Sequence, residues 1–337
     1  MTIHPSDPGA PRAPVPHGGD LEGARQRFPD APEPLIDLST GINPVPYPVE
    51  PGPAEEFARL PATAALAALQ AVAAAAYGAD DPAMVVAAPG TQLLINLLPR
   101  VLPQPSIAVL GPTYAEHAPA WRDAGTAVHE VTGFDALERH GAVLLCNPNN
   151  PDGRRAEPDV LLRLAVRLLV VDEAFAEFDP GLSLVPRLRD GIVVLRSFGK
   201  AYGLAGLRLG FAVATPPTAA LIRRALGPWA VGGTALRVGR AALADRAWLD
   251  ASGARLRADA ARLDGLLQGA GCLVTGGTPL FRFVQAPDAA GLAVHLGRRG
   301  ILVRSFADRP GRLRFGLPGP GHWDRLEDAV RGYGHRG

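Results

Sequence analysis

Lysine is almost absent from this chain. Of its 34 lysine and arginine residues, 33 are arginine, and the single lysine is Lys200. A chain this rich in arginine can replace any lysine that only supplies positive charge, but a guanidinium group does not form Schiff bases as an amine does. We therefore predict that Lys200 is retained as an amine nucleophile, and is not a chance survivor on the surface.

Cysteine is scarce as well. Cys146 and Cys272 stand far apart in apolar surroundings, and no CxxC motif or Cys/His cluster indicates a metal site. This pattern predicts free, buried thiols in a reducing compartment, and hence a cytoplasmic protein without a bound metal.

Long apolar runs and an excess of one charge are also missing. No run of about 18 apolar residues occurs, so no membrane-spanning helix is predicted. The first 20 residues contain proline, glycine and histidine but not the apolar core of a signal peptide. A net charge of +1 provides no basic field for nucleic acid. These absences leave a small-molecule substrate as the expected partner.

Apolar strands alternate with helical segments over the first two thirds of the chain. The sequence predicts strands at 84–88, 107–110, 127–131, 142–146, 168–171, 192–195 and 207–214. Helices are predicted at 63–77, in a segment that follows Tyr114 and ends at about residue 124, and at about 158–167. Alternation of this kind is typical of the α/β class, with a mostly parallel mixed sheet covered on both faces.

The texture of the sequence changes after Pro228. One long helix is predicted for 234–268, followed by a smaller α+β unit with strands at 280–284, 301–303 and 313–315 and helices at 288–299 and 323–331. We expect an N-terminal arm that contributes to the small domain (1–50), a large domain (51–226) and a small C-terminal domain (227–337). The proline-rich residues 1–16 are predicted to be disordered or draped on a surface.

Functional residue types follow directly after five of the predicted strands. They are Gly90, Tyr114, Asn150, Asp172 and Ser197. Because ligands of open α/β sheets bind beyond the carboxyl ends of the strands, this shared placement predicts one site. The turn Pro89-Gly90-Thr91-Gln92 opens a helix and can point N–H groups at an anion, although on its own it is equally an ordinary N-cap with Thr91 capping.

Together these groups suit pyridoxal 5′-phosphate. Lys200 would hold the cofactor as a Schiff base, and Asp172 would keep its ring nitrogen protonated by placing an opposite charge beside it. Tyr114 would stack on the ring, and Asn150 would hydrogen-bond the ring oxygen. The phosphate would be bound by the last group of residues: Gly90, Thr91, Gln92, Ser197 and Arg208.

The series of motifs also resembles a known family. Asn150-Pro151-x-Gly153, Asp172-Glu173-Ala174-Phe175, Ser197-x-x-Lys200 and Arg208 are similar in order and spacing to the fold-type I aminotransferases, over residues of about 35 to 325. The resemblance implies a fold-type I transferase dependent on pyridoxal phosphate, and a homodimer with active sites at the subunit interface.

Within that family, three segments are similar to the members that decarboxylate L-threonine O-3-phosphate. They are His17-Gly18-Gly19, Ser39-Thr40-Gly41-Ile42-Asn43-Pro44 and Pro228-Trp229-Ala230-Val231. The resemblance implies formation of (R)-1-aminopropan-2-yl phosphate for cobalamin biosynthesis. It also implies a set of substrate-binding residues: Arg314 for the carboxylate, Arg304 and His17 for the phosphate, with Asn43 and Asn150.

The chain departs from the family pattern at three places. Phe175 stands where aminotransferases of the family usually carry tyrosine, which removes one hydrogen bond to the ring oxygen and favours a reaction other than transamination. Gly41 stands where the decarboxylases often have asparagine. No tyrosine stands near Leu60, where aminotransferases often carry one that reaches the neighbouring subunit's phosphate.

Three functions are therefore compared. The first is decarboxylation of threonine phosphate, and the second is transamination of histidinol phosphate or another amino acid. The third, a regulator that senses pyridoxal phosphate, would need a DNA-binding domain, and residues 1–34 are too short and too rich in proline for one. A dinucleotide binder is disfavoured because no G-x-G-x-x-G motif follows the first strand.

Overall fold

The computed structural model describes residues 17–334, so the proline-rich residues 1–16 lie outside it. The described strands are β1 (Ile36–Leu38), β2 (Val85–Ala88), β3 (Ser106–Leu110), β4 (Ala127–Val131), β5 (Ala142–Cys146), β6 (Leu168–Asp172), β7 (Ile192–Ser197), β8 (Gly210–Ala214), β9 (Leu273–Thr278), β10 (Phe281–Gln285), β11 (Ile301–Ser305) and β12 (Arg312–Gly316).

The described helices are α1 (Leu21–Arg27), α2 (Glu55–Ala58), α3 (Thr63–Tyr77), α4 (Thr91–Val101), α5 (His117–Asp123), α6 (Phe134–Leu137), α7 (Pro158–Leu162), α8 (Phe198–Ala201), α9 (Pro216–Leu226), α10 (Gly233–Ala244), α11 (Arg246–Gly269), α12 (Ala289–Gly297) and α13 (Trp323–Gly334). Short 3₁₀ turns occur at Pro82–Met84, Pro180–Leu182, Val185–Arg187, Ala205–Leu207 and Pro320–His322. No described helix combines the length and the apolar character that crossing a bilayer requires.

The larger sheet has seven strands in the order β2-β8-β7-β6-β5-β3-β4. Neighbouring strands are parallel except at β8, which is antiparallel to both β2 and β7. Strands such as β6 are buried along their whole length, as expected of a parallel sheet covered on both faces. The predicted α/β fold class with a mostly parallel mixed sheet is confirmed.

Alternate residues of these strands enter two separate cores. Val86, Val109 and Leu144 pack in one core with α4, α5 and α9. The other core combines strand residues such as Val85 and Leu145 with α3 and α10. This two-sided burial leaves the carboxyl ends of the parallel strands as the edge where polar side chains collect.

The smaller sheet has five strands in the order β1-β11-β12-β10-β9. Strand β1 comes from the N-terminal part of the chain and pairs in parallel with β11, and the other pairs are antiparallel. This pairing supports the proposal that residues 1–50 contribute to the small domain. The boundaries at residues 50 and 226 stay a prediction.

Several predicted boundaries were wrong, each for a local reason. The long helix predicted for 234–268 is two helices, because Asp245 leaves helical geometry and accepts the Trp248 N–H as the N-cap of α11. Strand β9 was not predicted, since Gly276 and Gly277 weaken its pattern. Strand β8 begins at Gly210, after Arg208 adopts a left-handed conformation with φ 55°.

Candidate active site

One cavity at the carboxyl edge of the seven-stranded sheet brings together nine of the predicted residues. They are Gly90, Thr91, Gln92, Tyr114, Asn150, Asp172, Ser197, Lys200 and Arg208. Asp172 and Ser197 are the last residues of β6 and β7, and Lys200 follows on the short helix α8. The cavity therefore gathers the strand-end residues that the sequence spaces over more than a hundred positions.

The Lys200 amine sits in a poorly hydrated environment, with two arginines and two aspartates acting on it. Burial, and next the nearby Arg314 guanidinium, lower the pKa of Lys200 to about 8. Its Nζ lies 5.7 Å from the centre of the Phe175 ring. Because a neutral amine is the nucleophilic form, this lowered pKa makes Lys200 reactive near neutral pH.

Asp172 is held by a histidine that the sequence reasoning missed. Nε2 of His117 lies 2.9 Å from Oδ2 of Asp172, and the Ala174 N–H donates to Oδ1 at 3.0 Å. Burial alone would lower the pKa of His117, but Cys146 and Asp172 raise it, to about 10 in net. This contact places an imidazole nitrogen, positively charged when His117 is protonated, directly beside the Asp172 carboxylate. The signal in the sequence was its position three residues after Tyr114, at the start of the predicted helix.

Cys146 completes a buried cluster with these two groups. The ligand atoms of His117, Cys146 and Asp172 all lie within 4.8 Å of one another, a spacing that a metal ion could also use. The hydrogen bond between the histidine and the aspartate accounts for the arrangement without one. The Cys146 thiol itself lies 3.0 Å from the Thr113 hydroxyl.

Glu173, the next residue after Asp172, is anchored below the cavity. Its carboxylate accepts hydrogen bonds from Ser183 Oγ and the Leu184 N–H and pairs with buried Arg196, which also pairs with Glu177. Burial raises the pKa of both glutamates, while Arg196 opposes that shift. This cluster fixes the ends of β6 and β7, from which Asp172 and Ser197 extend.

An anion cradle lies at the N-terminus of α4. Gly90 has φ 82°, and a Cβ there would lie 2.8 Å from the Arg208 guanidinium, so glycine lets the arginine approach the first turn of the helix. A Cβ at Gly210 would lie 2.7 Å from the backbone nitrogen of Thr91. Free N–H groups of a helix N-terminus beside an arginine form a site for phosphate.

Tyr114 forms an aromatic side of the cavity. Its hydroxyl donates to Oε1 of Gln92 at 3.0 Å, and its ring meets His117 edge to face with centroids 5.6 Å apart. Burial, followed by Glu116 and Asp172, raises the pKa of Tyr114 to about 12, so the phenol stays neutral.

These residues fit pyridoxal phosphate. An amine, a carboxylate, an aromatic face and an anion cradle line the same cavity, and each supplies a contact that one part of the cofactor requires. The close approach of Gly90 and Arg208 is the observation that makes the phosphate part of the fit specific.

Two arginines of the smaller sheet form a like-charge pair beside this cavity. Arg314 of β12 and Arg304 of β11 are cross-strand partners, an arrangement that destabilises a sheet unless an anion compensates it. The Arg314 guanidinium is buried, donates to Oδ1 of Asn150 and donates to the Ser39 carbonyl at 2.8 Å. Its Nε has no hydrogen-bond partner among residues 17–334. Two adjacent guanidinium groups, one with an unused Nε donor, are suited to bind an anionic substrate.

The two remaining predicted residues lie in different places. His17 reaches the Tyr114 side of the site, where its Nε2 lies 2.7 Å from Oε1 of Glu116 and its ring centroid lies 6.0 Å from that of Tyr114. Asn43 is not brought to the cavity. It is buried behind Lys200, where its side-chain amide donates to the Ala201 carbonyl at 2.8 Å.

Comparison with known proteins places this geometry in context. Residues 35–322 match the aminotransferase class I and II family. A protein from Sinorhizobium sp. named threonine-phosphate decarboxylase is 43% identical over 329 residues, which cover 94% of this chain and 98% of that protein. A histidinol-phosphate aminotransferase from Geobacter sp. strain M21 is 32% identical over 297 residues, covering 81% of this chain and 84% of that protein.

A solved structure agrees with the fold. The histidinol-phosphate aminotransferase of Sinorhizobium meliloti, in complex with pyridoxal-5′-phosphate, superimposes with a TM-score of 0.78 at 21% identity. The match covers 93% of this chain and 94% of that one. At this identity the match shows only that the two chains share a fold.

The His117–Asp172 contact predicts a pH-dependent stability. The pKa of His117 is raised from 6.5 to about 10 in the folded chain, so its contribution is complete below about pH 6.5 and is lost as the pH rises through about 10. We expect the thermal midpoint of the wild type to exceed that of His117→Gln most near pH 6, with the difference shrinking toward pH 10. Exposed His129→Gln is the control. A difference for His117→Gln that does not vary with pH would contradict the assignment.

Proposed function

Because the chain belongs to the aminotransferase class I and II family, we propose that it is an enzyme dependent on pyridoxal phosphate that decarboxylates L-threonine O-3-phosphate. The products are (R)-1-aminopropan-2-yl phosphate, for cobalamin biosynthesis, and carbon dioxide. The observation that carries this proposal is the 43% identity, over nearly the whole of both chains, to the Sinorhizobium protein named threonine-phosphate decarboxylase.

The cofactor would be held by the residues of the cavity. Lys200 would bind its aldehyde carbon, and Asp172 would face its ring nitrogen. The anion cradle at the N-terminus of α4, formed with Gly90 and Arg208, would hold its phosphate together with Ser197. When bound, pyridoxal phosphate withdraws electrons from the carbon that carries the substrate's amino group. The ion pair between Asp172 and His117 maintains a negative charge where a protonated ring nitrogen needs one.

Arg314 would bind the substrate carboxylate. Its planar guanidinium can donate two parallel N–H bonds to a carboxylate, and its buried Nε supplies a donor that no group in the described part of the chain uses. The contacts to Asn150 and the Ser39 carbonyl fix the plane of this guanidinium. Arg314 thus sets the angle at which the bond to the carboxylate stands to the ring, and that angle decides which bond breaks.

Arg304 and His17 would bind the substrate phosphate. Arg304 is Arg314's neighbour across the strand pair, so it can contact the far end of a substrate whose carboxylate lies on Arg314. Binding energy from a remote phosphate can orient the reacting bond, which affects turnover as well as affinity.

Transamination of histidinol phosphate is the alternative. It is the activity in the name of the 32% identical Geobacter relative. Phe175 favours decarboxylation, because its buried ring lines the cavity at the position where the aminotransferases usually carry a tyrosine hydroxyl.

Incubation with L-threonine O-3-phosphate tests the proposal. The protein loaded with pyridoxal phosphate should release carbon dioxide and aminopropanol phosphate, and added keto acid should not be converted to an amino acid. Lys200→Ala should abolish the reaction, because no second lysine can replace it. If the wild type instead converts histidinol phosphate and 2-oxoglutarate faster than threonine phosphate, the alternative function replaces this one.

Arg304→Ala tests the phosphate contact. Wild type should use plain L-threonine far more poorly than its phosphate, and Arg304→Ala should narrow that ratio of kcat/KM values. A hydrogen bond to a charged group contributes roughly 1.5–3 kcal/mol, so the ratio should fall about ten- to a hundredfold. Arg312→Ala, on the same strand as Arg314, is the matched control. Equal losses with both substrates would assign Arg304 to the fold or to the carboxylate contact.

We further propose that the protein is a cytoplasmic homodimer. Both cysteines are free and buried, which is compatible with a reducing compartment.

The dimer proposal rests on exposed apolar side chains: Phe57 and Trp229 expose 83% and 57% of their surface, and Leu60 is similarly exposed. Phe57 follows Glu56, which binds Thr234 and Arg237 of α10, the helix that begins shortly after Trp229. Trp229 also holds a left-handed backbone with φ 56°, a strained conformation that persists only where the surrounding structure imposes it.

Phe57→Glu tests the dimer. The charge should disrupt a contact made by a second copy, so the variant should sediment as a monomer while the wild type sediments as a dimer. Leu273→Glu alters an exposed leucine of β9, in the five-stranded sheet, and should leave the dimer intact. A monomeric wild type, or a dimeric Phe57→Glu variant, would contradict the proposal.

A further inference from the structure

The helix that carries Lys200 is too short to satisfy its own backbone. Helix α8 has four residues, and the last carbonyls of a helix have no partner within it. The segment from Asn43 to Tyr47 supplies the missing donors. The Asn43 N–H donates to the Lys200 carbonyl at 2.9 Å, its side-chain amide donates to the Ala201 carbonyl at 2.8 Å, and the Tyr47 N–H donates to the Tyr202 carbonyl at 2.8 Å.

The side chain of Asn43 is itself fixed. It is 2% exposed, and its Oδ1 accepts from the Val45 N–H at 3.1 Å and from Nη2 of Arg255 at 2.7 Å. An arginine can only donate, so the amide oxygen must face Arg255 and the NH₂ group must face Ala201. Arg255 therefore determines the orientation in which Asn43 can bind α8.

Arg255 belongs to α11, a helix that contacts both the residue after α8 and strand β10 of the smaller sheet. Near its start, Trp248 stacks on Tyr202 with centroids 5.7 Å apart, directly after α8. Farther along, Asp264 binds Arg282 of β10 through two hydrogen bonds of 2.7 Å, and β10 pairs with β12, which carries Arg314. One helix thus connects the lysine to the strand of the carboxylate-binding arginine.

We propose that Arg255 and Asn43 are positioning residues that fix the backbone of Lys200, so that α11 sets where the amine stands relative to Arg314. The inference rests on the proposed function, in which Lys200 binds the cofactor. Neither residue lines the cavity, and each acts only through the carbonyls of α8.

The single lysine allows a direct test without cofactor or substrate. Protein labelled selectively with ¹³C,¹⁵N-lysine gives one side-chain signal by NMR, and its pH titration reports the pKa of Lys200 alone. Arg255→Ala should raise the titration midpoint by about 0.5–1 pH unit, the equivalent of one lost hydrogen bond, because the amine becomes better hydrated. Arg246→Ala, at another i,i+4 ion pair of α11, should leave the midpoint unchanged.

Asn43→Ser separates positioning from simple charge removal. It changes no charge, and Asp37, Asp172, Arg208 and Arg314, the charged groups that act on Lys200, are all retained. The midpoint should rise as in Arg255→Ala, and the double variant should shift it no further, because both changes break one chain of contacts. A wild-type midpoint in either single variant would overturn the proposal. Arg255 is partly exposed on a helix, so its alanine variant is expected to fold and to give a decisive result.

The result is independent of the proposed activity. If threonine phosphate is not decarboxylated but both variants shift the lysine midpoint, the positioning role stands and the function fails. If decarboxylation occurs and the midpoint does not move, the positioning role fails and the function stands.

Discussion

Burial of charge where the carboxyl edge of the seven-stranded sheet meets β12 of the smaller sheet is the constraint on which this structure depends. Lys200, Asp172 and Arg314 are largely removed from water, where an isolated charge is costly. Each is compensated differently: the lysine by a lowered pKa, the aspartate by His117, and the arginine by acceptors on Asn150 and Ser39. These supports come from parts of the chain far apart in sequence, so the site can exist only when both sheets are in place.

Sequence pattern was informative where local chemistry decides the structure. The alternation of strands and helices predicted the fold class, and the strand-end position of Asp172 and Ser197 anticipated their meeting at one cavity, because parallel strands place their carboxyl ends together. The sequence did not predict contacts between residues that lie far apart along the chain. Asn43 binds the carbonyl of Ala201, 158 residues away, and no pattern near Asn43 in the sequence predicts that contact. His117 was overlooked because a histidine on a helix is usually an ordinary surface residue.

The same cofactor residues serve decarboxylation and transamination, so reaction choice must arise from the groups around the substrate. Here those groups are two arginines directly opposite each other on neighbouring strands, and a phenylalanine, Phe175, in the cavity wall. The paired arginines favour a substrate with negative charge at both ends. The Phe175 ring supplies no hydrogen-bonding group to the cavity and packs edge to face against Phe281.

A chain with one lysine, and that one inside the active site, meets reactive metabolites differently from most proteins. Sugars, aldehydes and acyl donors ordinarily modify many surface lysines, and most of those adducts are harmless. Here no lysine at the surface can absorb such damage. Each lysine adduct would occupy the position where the cofactor binds, and the cofactor in turn shields the amine. Chemical ageing of this protein through lysine is therefore an all-or-none loss of active sites, governed by how much of the protein is saturated with cofactor.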